Sequence, residues 1–331
     1  MKTLIKLANS LNKACSFKGY IIFEGNVARA TNIDLHAVID GGEWNFDCAT
    51  VVDSQQIKMA LAVNPKKPVW SGDTLNGVKL VSVYQASDFP ELPAYDGVRI
   101  ECNNFSDAIV KTLPAAADND IRYYLNSICF NHTDGAIIGC NGHRLHIVNS
   151  AYPAAPHGLQ GESIVPRSAF DIVGAKNVLN IGFTDKLFRM GYCGGYLVGK
   201  LIDGKFPDYS RVIPAASSRP HTVAFNGTQC DAVKTIVSVL KANKAKYPTL
   251  CINFDGRIEA CDIRVPCFDS FVTTELTGKY DTGQRQYGIN AVYLHDALSA
   301  AGSGTIASDT INDGLLITNG DFRAVVMPCR V

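Results

Sequence analysis

Apolar and polar positions along this chain fall into the same order three times. A strand-like stretch, a turn containing glycine and a second strand recur as Ile22 to Val27, Phe130 to Ile137 and Ile252 to Ile258, with Gly25, Gly135 and Gly256 in the turns. Glycine adopts the positive φ of tight hairpins without steric cost, so each copy predicts a β-hairpin. A helix precedes each hairpin, over Leu4 to Ala14, Ser106 to Thr112 and Cys230 to Ile236; Ser106 or Asp107 and Thr228 or Asp231 are cap candidates. A second helix follows the strands, over Asp53 to Val63, Pro166 to Lys176 and Asn290 to Ala301, with Pro166 suited to a first turn. A closing turn, Asp88-Phe89-Pro90-Glu91-Leu92-Pro93, is echoed by Lys205-Phe206-Pro207-Asp208-Tyr209.

Self-similarity at a long period signals repeated modules. Boundaries fall near Glu101-Cys102-Asn103 and in the small-residue stretch Ala215 to Pro220, giving three domains, 1–101, 102–217 and 218–331. The fold class is α+β: three similar domains, each with two helices packed on antiparallel sheets.

Composition sharpens this reading. At 331 residues, the chain is long enough for two or three cores. Lys plus Arg and Asp plus Glu are both 31, so the chain has no net charge. A protein gripping nucleic acid by overall charge is basic, so any DNA contact here requires basic residues gathered on one surface. The 11 cysteines are odd in number and several lie in apolar strand-like runs (Cys129, Cys251), which reads as free thiols in a reducing compartment. Lys2 and Lys6 interrupt what a signal peptide needs, and no apolar run approaches the ~18 residues of a membrane span. A cytoplasmic protein with no membrane partner is expected.

Two chemical motifs compete. Gly194 to Lys200 has the spacing of a phosphate-binding loop, but Leu201 stands where Ser or Thr must hold magnesium, and Tyr196-Leu197-Val198 is strand-like. Cys140, His143 and His146 could ligate a metal, yet on a strand His143 points away from the other two and no fourth ligand is near. Asp34 and His36 form a stray pair. No catalytic residue, metal site or cofactor is expected.

Four segments carry a family resemblance. Asp120-Ile121-Arg122-Tyr123-Tyr124-Leu125-Asn126, Gly142-His143-Arg144-Leu145, Leu201 to Tyr209 with Arg211-Val212-Ile213-Pro214, and Val325-Val326-Met327-Pro328-Cys329-Arg330-Val331 resemble, in order and spacing, motifs of the bacterial beta-type DNA sliding clamps, the beta subunits of DNA polymerase III. They cover roughly the C-terminal two-thirds of the chain. The first third is similar only in Asn32-Ile33-Asp34-Leu35 and Asp88-Phe89-Pro90, and is shorter. Cys140-Asn141 replaces the family's threonine-aspartate, and Val331 its terminal leucine.

The resemblance implies a homodimeric ring of six domains on curved sheets, with helices lining a hole that holds double-stranded DNA without reading its sequence. It implies a DNA polymerase, a clamp loader and other proteins bearing a clamp-binding motif as partners. On the lining helices it places Lys2, Lys6 and Lys13, then Lys111, then Lys234, Lys241 and Lys244; Arg122, Tyr123 and Tyr124 lie where relatives touch tilted DNA. One of the two tyrosines is expected to be exposed. The partner-peptide groove, carried over by position, comprises Leu125, Gly142, His143, Arg144, Leu145, Pro207, Arg211 and Val212, joined by Asn290, Tyr293, Ile311, Val325, Val326, Met327, Pro328, Cys329 and Arg330. At the dimer contact Ile100 and Cys102 would face Val239 and Leu240, although the latter two also fit the buried face of their own helix. A clamp-like scaffold that binds proteins without encircling DNA is the alternative reading.

Overall fold

A computed structural model describes residues 1–10, 18–100, 105–214, 221–242, 244, 248–253, 257–260, 274–275, 286–308 and 313–329. The helices among them come in the anticipated pairs: α1 Lys2–Asn9, α2 Ser54–Val63, α3 Phe105–Thr112, α4 Arg167–Val173, α5 Gly227–Ala242 and α6 Ala291–Ala301. Asp53 caps α2, its carboxylate accepting from the Gln55 N–H at 2.8 Å. Asn290 caps α6 through the N–H groups of Val292 and Tyr293. Both side chains satisfy donors that the first helical turn leaves unpaired. Pro166 ends a strand and α4 starts one residue later. The expected continuation of α1 to Ala14 runs outside the described residues.

The strands follow one plan used twice. One eight-stranded sheet has the order Phe46–Asp53, Tyr20–Gly25, Val27–Thr31, Leu35–Ile39, Gly195–Lys200, Leu187–Tyr192, Val178–Phe183, Val98–Ile100. The other runs Glu162–Pro166, Ser127–Asn131, Ala136–Cys140, Arg144–Val148, Phe322–Val326, Leu315–Asn319, Gly304–Ser308, His221–Phe225. The second thus joins four strands of the middle third to four of the last, and the first joins four strands of the first third to three of the middle one and to Val98–Ile100, at the end of the first third. The central seams are antiparallel, Leu197 opposite Ala37 in the first sheet and Leu145 opposite Val325 in the second. Gly195–Lys200 is therefore a central strand and not a phosphate loop. In the last third the strands between the two helices keep a separate sheet, Thr274–Glu275, Arg257–Ala260, Thr249–Asn253, Gln286–Asn290, while in the first third the strands that follow α2 are short, Trp70–Ser71, Thr74–Leu75 and Val78–Lys79.

Because sheets join successive thirds, the compact units cut across the repeats. One comprises Met1–Ser106 with Ser168–Asp203, the other Asp107–Arg167 with Gly204–Val331. In the second, α5 buries Val233, Ile236, Val237 and Leu240, the three-and-four spacing of one helical face. They join α6 residues Leu294, Ala297 and Leu298 and strand residues Ile306, Ile317 and Val326 in one core. In the first unit, Phe188 and Met190 point inward and Arg189 outward, the period of two that a strand imposes. Gly135 (φ 70°) closes its hairpin so tightly that a Cβ would stand 1.9 Å from the Tyr152 carbonyl oxygen, so only glycine fits.

One surface departs from the usual pattern. Val78, Val81, Val83 and Tyr84, along and just after the shortened strands of the first third, are exposed, as are Met59 and Val63 on α2. Among the described residues no helix is long and apolar enough to cross a membrane.

Candidate functional site: an apolar groove at a strand seam

The groove grows from strand register. Cys140 pairs with Leu145 and Leu145 with Val325, and paired residues project to the same face. The three therefore make a small apolar wall across three strands. Arg144 and Val326, paired one step along, project to the other face toward α6. The 3₁₀ turn Tyr123–Leu125 supplies Leu125 and Tyr124, and the segment Phe206 to Val212 supplies the facing wall. The result is a cavity of about 340 Å³ lined by Arg122, Tyr124, Leu125, Cys140, Gly142, Arg144, Leu145, Phe206, Pro207, Asp208, Tyr209, Val212, Val325 and Met327. Its size and apolar walls suit the anchoring side chains of a short peptide. Leu125, Leu145, Phe206 and Val325 are buried, whereas Val212 and Met327 are 48% and 40% exposed.

Hydrogen bonds fix the rim. The Asn141 carboxamide oxygen accepts from the N–H groups of His143 and Arg144, at 2.9 and 3.0 Å. The Asn141 side chain thus supplies the acceptor that shapes this turn. The Cys140 thiol accepts from the Gly142 N–H at 3.3 Å, and burial raises its pKa. Met327 N–H donates to the His143 carbonyl at 2.9 Å and Cys329 N–H to that of Gly288 at 2.9 Å, so the Met327–Cys329 segment is pinned on two sides. Asp208 caps the turn Tyr209–Val212, and the Tyr209 hydroxyl accepts from Asn131 at 2.9 Å.

Each arginine around the groove has its own carboxylate. Arg122 donates to both oxygens of Asp120, at 3.0 and 2.9 Å, and these bonds hold the Asp120 pKa down at about 2. Arg211 pairs with Asp208 at 2.9 Å. Arg144, only 9% exposed, donates to Asp296 of α6 at 2.6 Å and to the Pro114 carbonyl, and its guanidinium lies over the Tyr293 ring at 4.3 Å. Burial opposes ionisation of Asp296, but hydrogen bonds from His295 and Arg144 outweigh it and keep the pKa below the usual value.

The structure gathers part of the sequence-derived groove. Leu125, Gly142, Arg144, Leu145, Pro207, Val212, Val325 and Met327 line it. His143 and Arg211 are exposed and outside the lining, and Pro328 and Cys329 flank it on the pinned segment. Val326 belongs to the core behind, Asn290 is a helix cap and Tyr293 supports Arg144 from α6. Ile311 and Arg330 lie outside the described residues. Sequence reasoning missed Phe206 and Tyr209 as groove walls, although their place in the recurring closing turn was visible.

The charged surface divides similarly. Lys2 and Lys6 are exposed on α1, where Lys6 reaches the Asp171 carbonyl, and Lys234 and Lys241 are exposed on α5 with Lys244 just beyond. Lys111 is tied to Asp107 at 2.7 Å. Arg122 is held by Asp120 and, with Tyr124, lines the groove, while Tyr123 is the exposed tyrosine, at 56%. Lys13 and Cys102 are outside the described residues. At the expected dimer contact, Ile100 is buried in a strand paired with Val178–Phe183, and Leu240 is buried in the core of its own helix, since its spacing from Val233, Ile236 and Val237 turns it inward. Val239 is half-buried. Cys140 and His143 sit in the groove turn, whereas His146 is buried and donates from Nδ1 to the Lys111 carbonyl at 2.8 Å.

The fold defines the class: it is that of a sliding clamp. The DNA polymerase sliding clamp of Caulobacter crescentus superposes with a TM-score of 0.77 at 20% identity, covering 99% of this chain and 98% of that one. The sliding clamp of Pseudomonas aeruginosa gives 0.75 at 22%, covering 100% and 97%. In sequence, the chain is 27% identical over 277 residues to the beta sliding clamp of Caulobacter vibrioides, 75% of this chain and 70% of the relative. It is 27% identical over 274 residues to that of Pseudomonas aeruginosa, 76% and 71%. No family model matches the sequence. The chain is a relative of the bacterial beta sliding clamps, as its motifs indicate.

Proposed function

We propose that this protein closes with a second copy of itself into a ring around double-stranded DNA and confers processivity on a replicative DNA polymerase. The carrying observation is the twice-used sheet plan. Strands of one third complete the sheet of the next, so the last third's own sheet, ending at Thr274–Glu275, and the shortened strands of the first third are the two sets left over. A second copy supplies each with the other, which is the closure rule of a two-fold assembly. The exposed Val78, Val81, Val83 and Tyr84 belong to the leftover set of the first third and replace Ile100 and Leu240 as the apolar side of that contact.

On this reading the repeats 1–101, 102–217 and 218–331 are three domains in each copy. A closed ring cannot leave DNA sideways, so it holds the duplex through weak phosphate contacts that carry no sequence information. Lys2, Lys6, Lys234, Lys241 and Lys244 make these contacts, with Tyr123 touching tilted DNA, and the groove takes peptides from the polymerase, the clamp loader and other clamp-binding proteins. The protein is cytoplasmic, performs no catalysis and needs no cofactor. Primer extension on a primed circle, with polymerase and loader present, tests this. Products should lengthen from short distributive fragments to full circles on adding the protein; unchanged product length refutes it.

A further inference from the structure

The groove has one wall that belongs to no sheet. Between the strand Gly195–Lys200 and the 3₁₀ turn Tyr209–Val212 the chain runs through no helix or strand, yet Phe206, Pro207 and Asp208 line the cavity together with Tyr209 of that turn. Two side chains outside the lining clip this segment to the sheet. Asn131 ends the strand Ser127–Asn131, and its carboxamide oxygen accepts from the Thr133 N–H at 3.0 Å. With the oxygen so engaged, the amide nitrogen is the end that donates to the Tyr209 hydroxyl, at 2.9 Å. Glu162, opposite Asn131 on the neighbouring strand, accepts from the Phe206 N–H with its carboxylate. Asn131 also stands opposite Ala136, and Cys140 lies four residues further along that strand, so both clips share the sheet face of the apolar wall. The Phe206 ring is buried and meets Tyr209 edge-on, centroids 6.5 Å apart, so what holds one ring also places the other.

A wall that is loose in the free protein must be ordered when a peptide arrives, and affinity falls with the fraction of molecules in which the wall is already in place. We propose that Asn131 and Glu162 are positioning residues of the peptide groove: they hold the Phe206–Val212 wall at the width a peptide needs and touch no peptide themselves. The inference rests on the groove being a peptide site, as proposed above.

Fluorescence anisotropy of the full chain with a fluorescein-labelled Ser-Leu-Ser-Leu-Phe peptide, a probe with aliphatic and aromatic anchors, tests this. Asn131→Ala and Glu162→Ala should each weaken binding about threefold to tenfold, the worth of one intramolecular hydrogen bond. Asn131→Asp and Glu162→Gln should restore most of the affinity, since the aspartate can accept from the Tyr209 phenol and the glutamine keeps an acceptor oxygen. Tyr209→Phe added to Asn131→Ala should weaken binding no further, because both remove the same bond. Amide hydrogen exchange separates positioning from general loosening: in both alanine variants the amides of residues 204–212 should exchange faster and those of Ile128 to Phe130 at the original rate. Failure of the unaltered chain to bind the peptide refutes the groove itself and this inference with it. Where the unaltered chain binds, alanine variants of unchanged affinity, aspartate and glutamine variants as weak as the alanine ones, an additive double variant, or strand and wall amides accelerated alike would overturn the positioning role alone.

Discussion

Removing the carboxylate of Asp296 tests how the groove is held open. Arg144 is 9% exposed, its Nη1 lies 2.6 Å from Asp296, and it comes from the strand that forms the seam. In Asp296→Ala the guanidinium stays behind, buried against Tyr293 and the Pro114 carbonyl with its charge uncompensated. Breaking a buried pair by removing one partner costs about 3–5 kcal/mol. Asp296 is 23% exposed, so water compensates in part and about 3 kcal/mol is expected. Urea unfolding should show this as a lower midpoint at unchanged slope for the transition of the groove-bearing unit. Arg144→Met combined with Asp296→Leu should recover most of the loss, because the penalty arises from the abandoned charge and not from a missing attraction. The acid limb follows from the depressed Asp296 pKa. With the folded pKa below the unfolded one, the carboxylate stabilises at pH values above about 4 and the contribution is lost as pH falls through the folded value. A cost under about 1 kcal/mol for Asp296→Ala, or a double variant as unstable as the sum of the singles, would refute the reasoning.

Three further outcomes are expected. Met327→Glu, at a 40% exposed groove position, should weaken an apolar partner peptide at least about tenfold by fluorescence anisotropy and leave the melting temperature nearly unchanged. Val81→Asp with Val83→Asp should give a folded protein that sediments at the 35.7 kDa of one chain, whereas Ile100→Asp should unfold its unit; a dimeric Val81/Val83 variant contradicts the contact proposed above. Burial lowers the His132 and His146 pKa values to about 4 each. The unfolded chain takes up these protons near pH 6.5 and the folded protein only near 4, so stability should be complete above about 6.5 and fall between there and 4, by roughly 3 kcal/mol per ring. A urea midpoint independent of pH across that window would contradict it.

The helices and hairpins were legible because they are local: a cap such as Asp53 or Asn290, a three-and-four spacing in α5 and a glycine in a turn carry their own physical signal. What the pattern could not reach was pairing at a distance. Nothing near Leu145 announces that Val325 lies beside it, and the groove arose only once that register existed. Motif resemblance bridged the gap for eight lining residues because it carries long-range information. It does not say which partner a given side chain takes. Arg122 is claimed by Asp120, and Leu240 is drawn into its own core, since charge and hydrophobicity alone do not say what a side chain faces. The exposed Val78, Val81, Val83 and Tyr84 show the converse, apolar residues that the shortened strands leave uncovered.

Encirclement is the property on which the functional account rests, and retention on DNA measures it directly. After loading onto a nicked circular plasmid, the protein should co-elute with the DNA through gel filtration at moderate salt, then dissociate within minutes once a single cut makes the plasmid linear. Equal retention on circular and linear DNA, or none on either, would mean that the chain holds DNA by side-on contact or not at all.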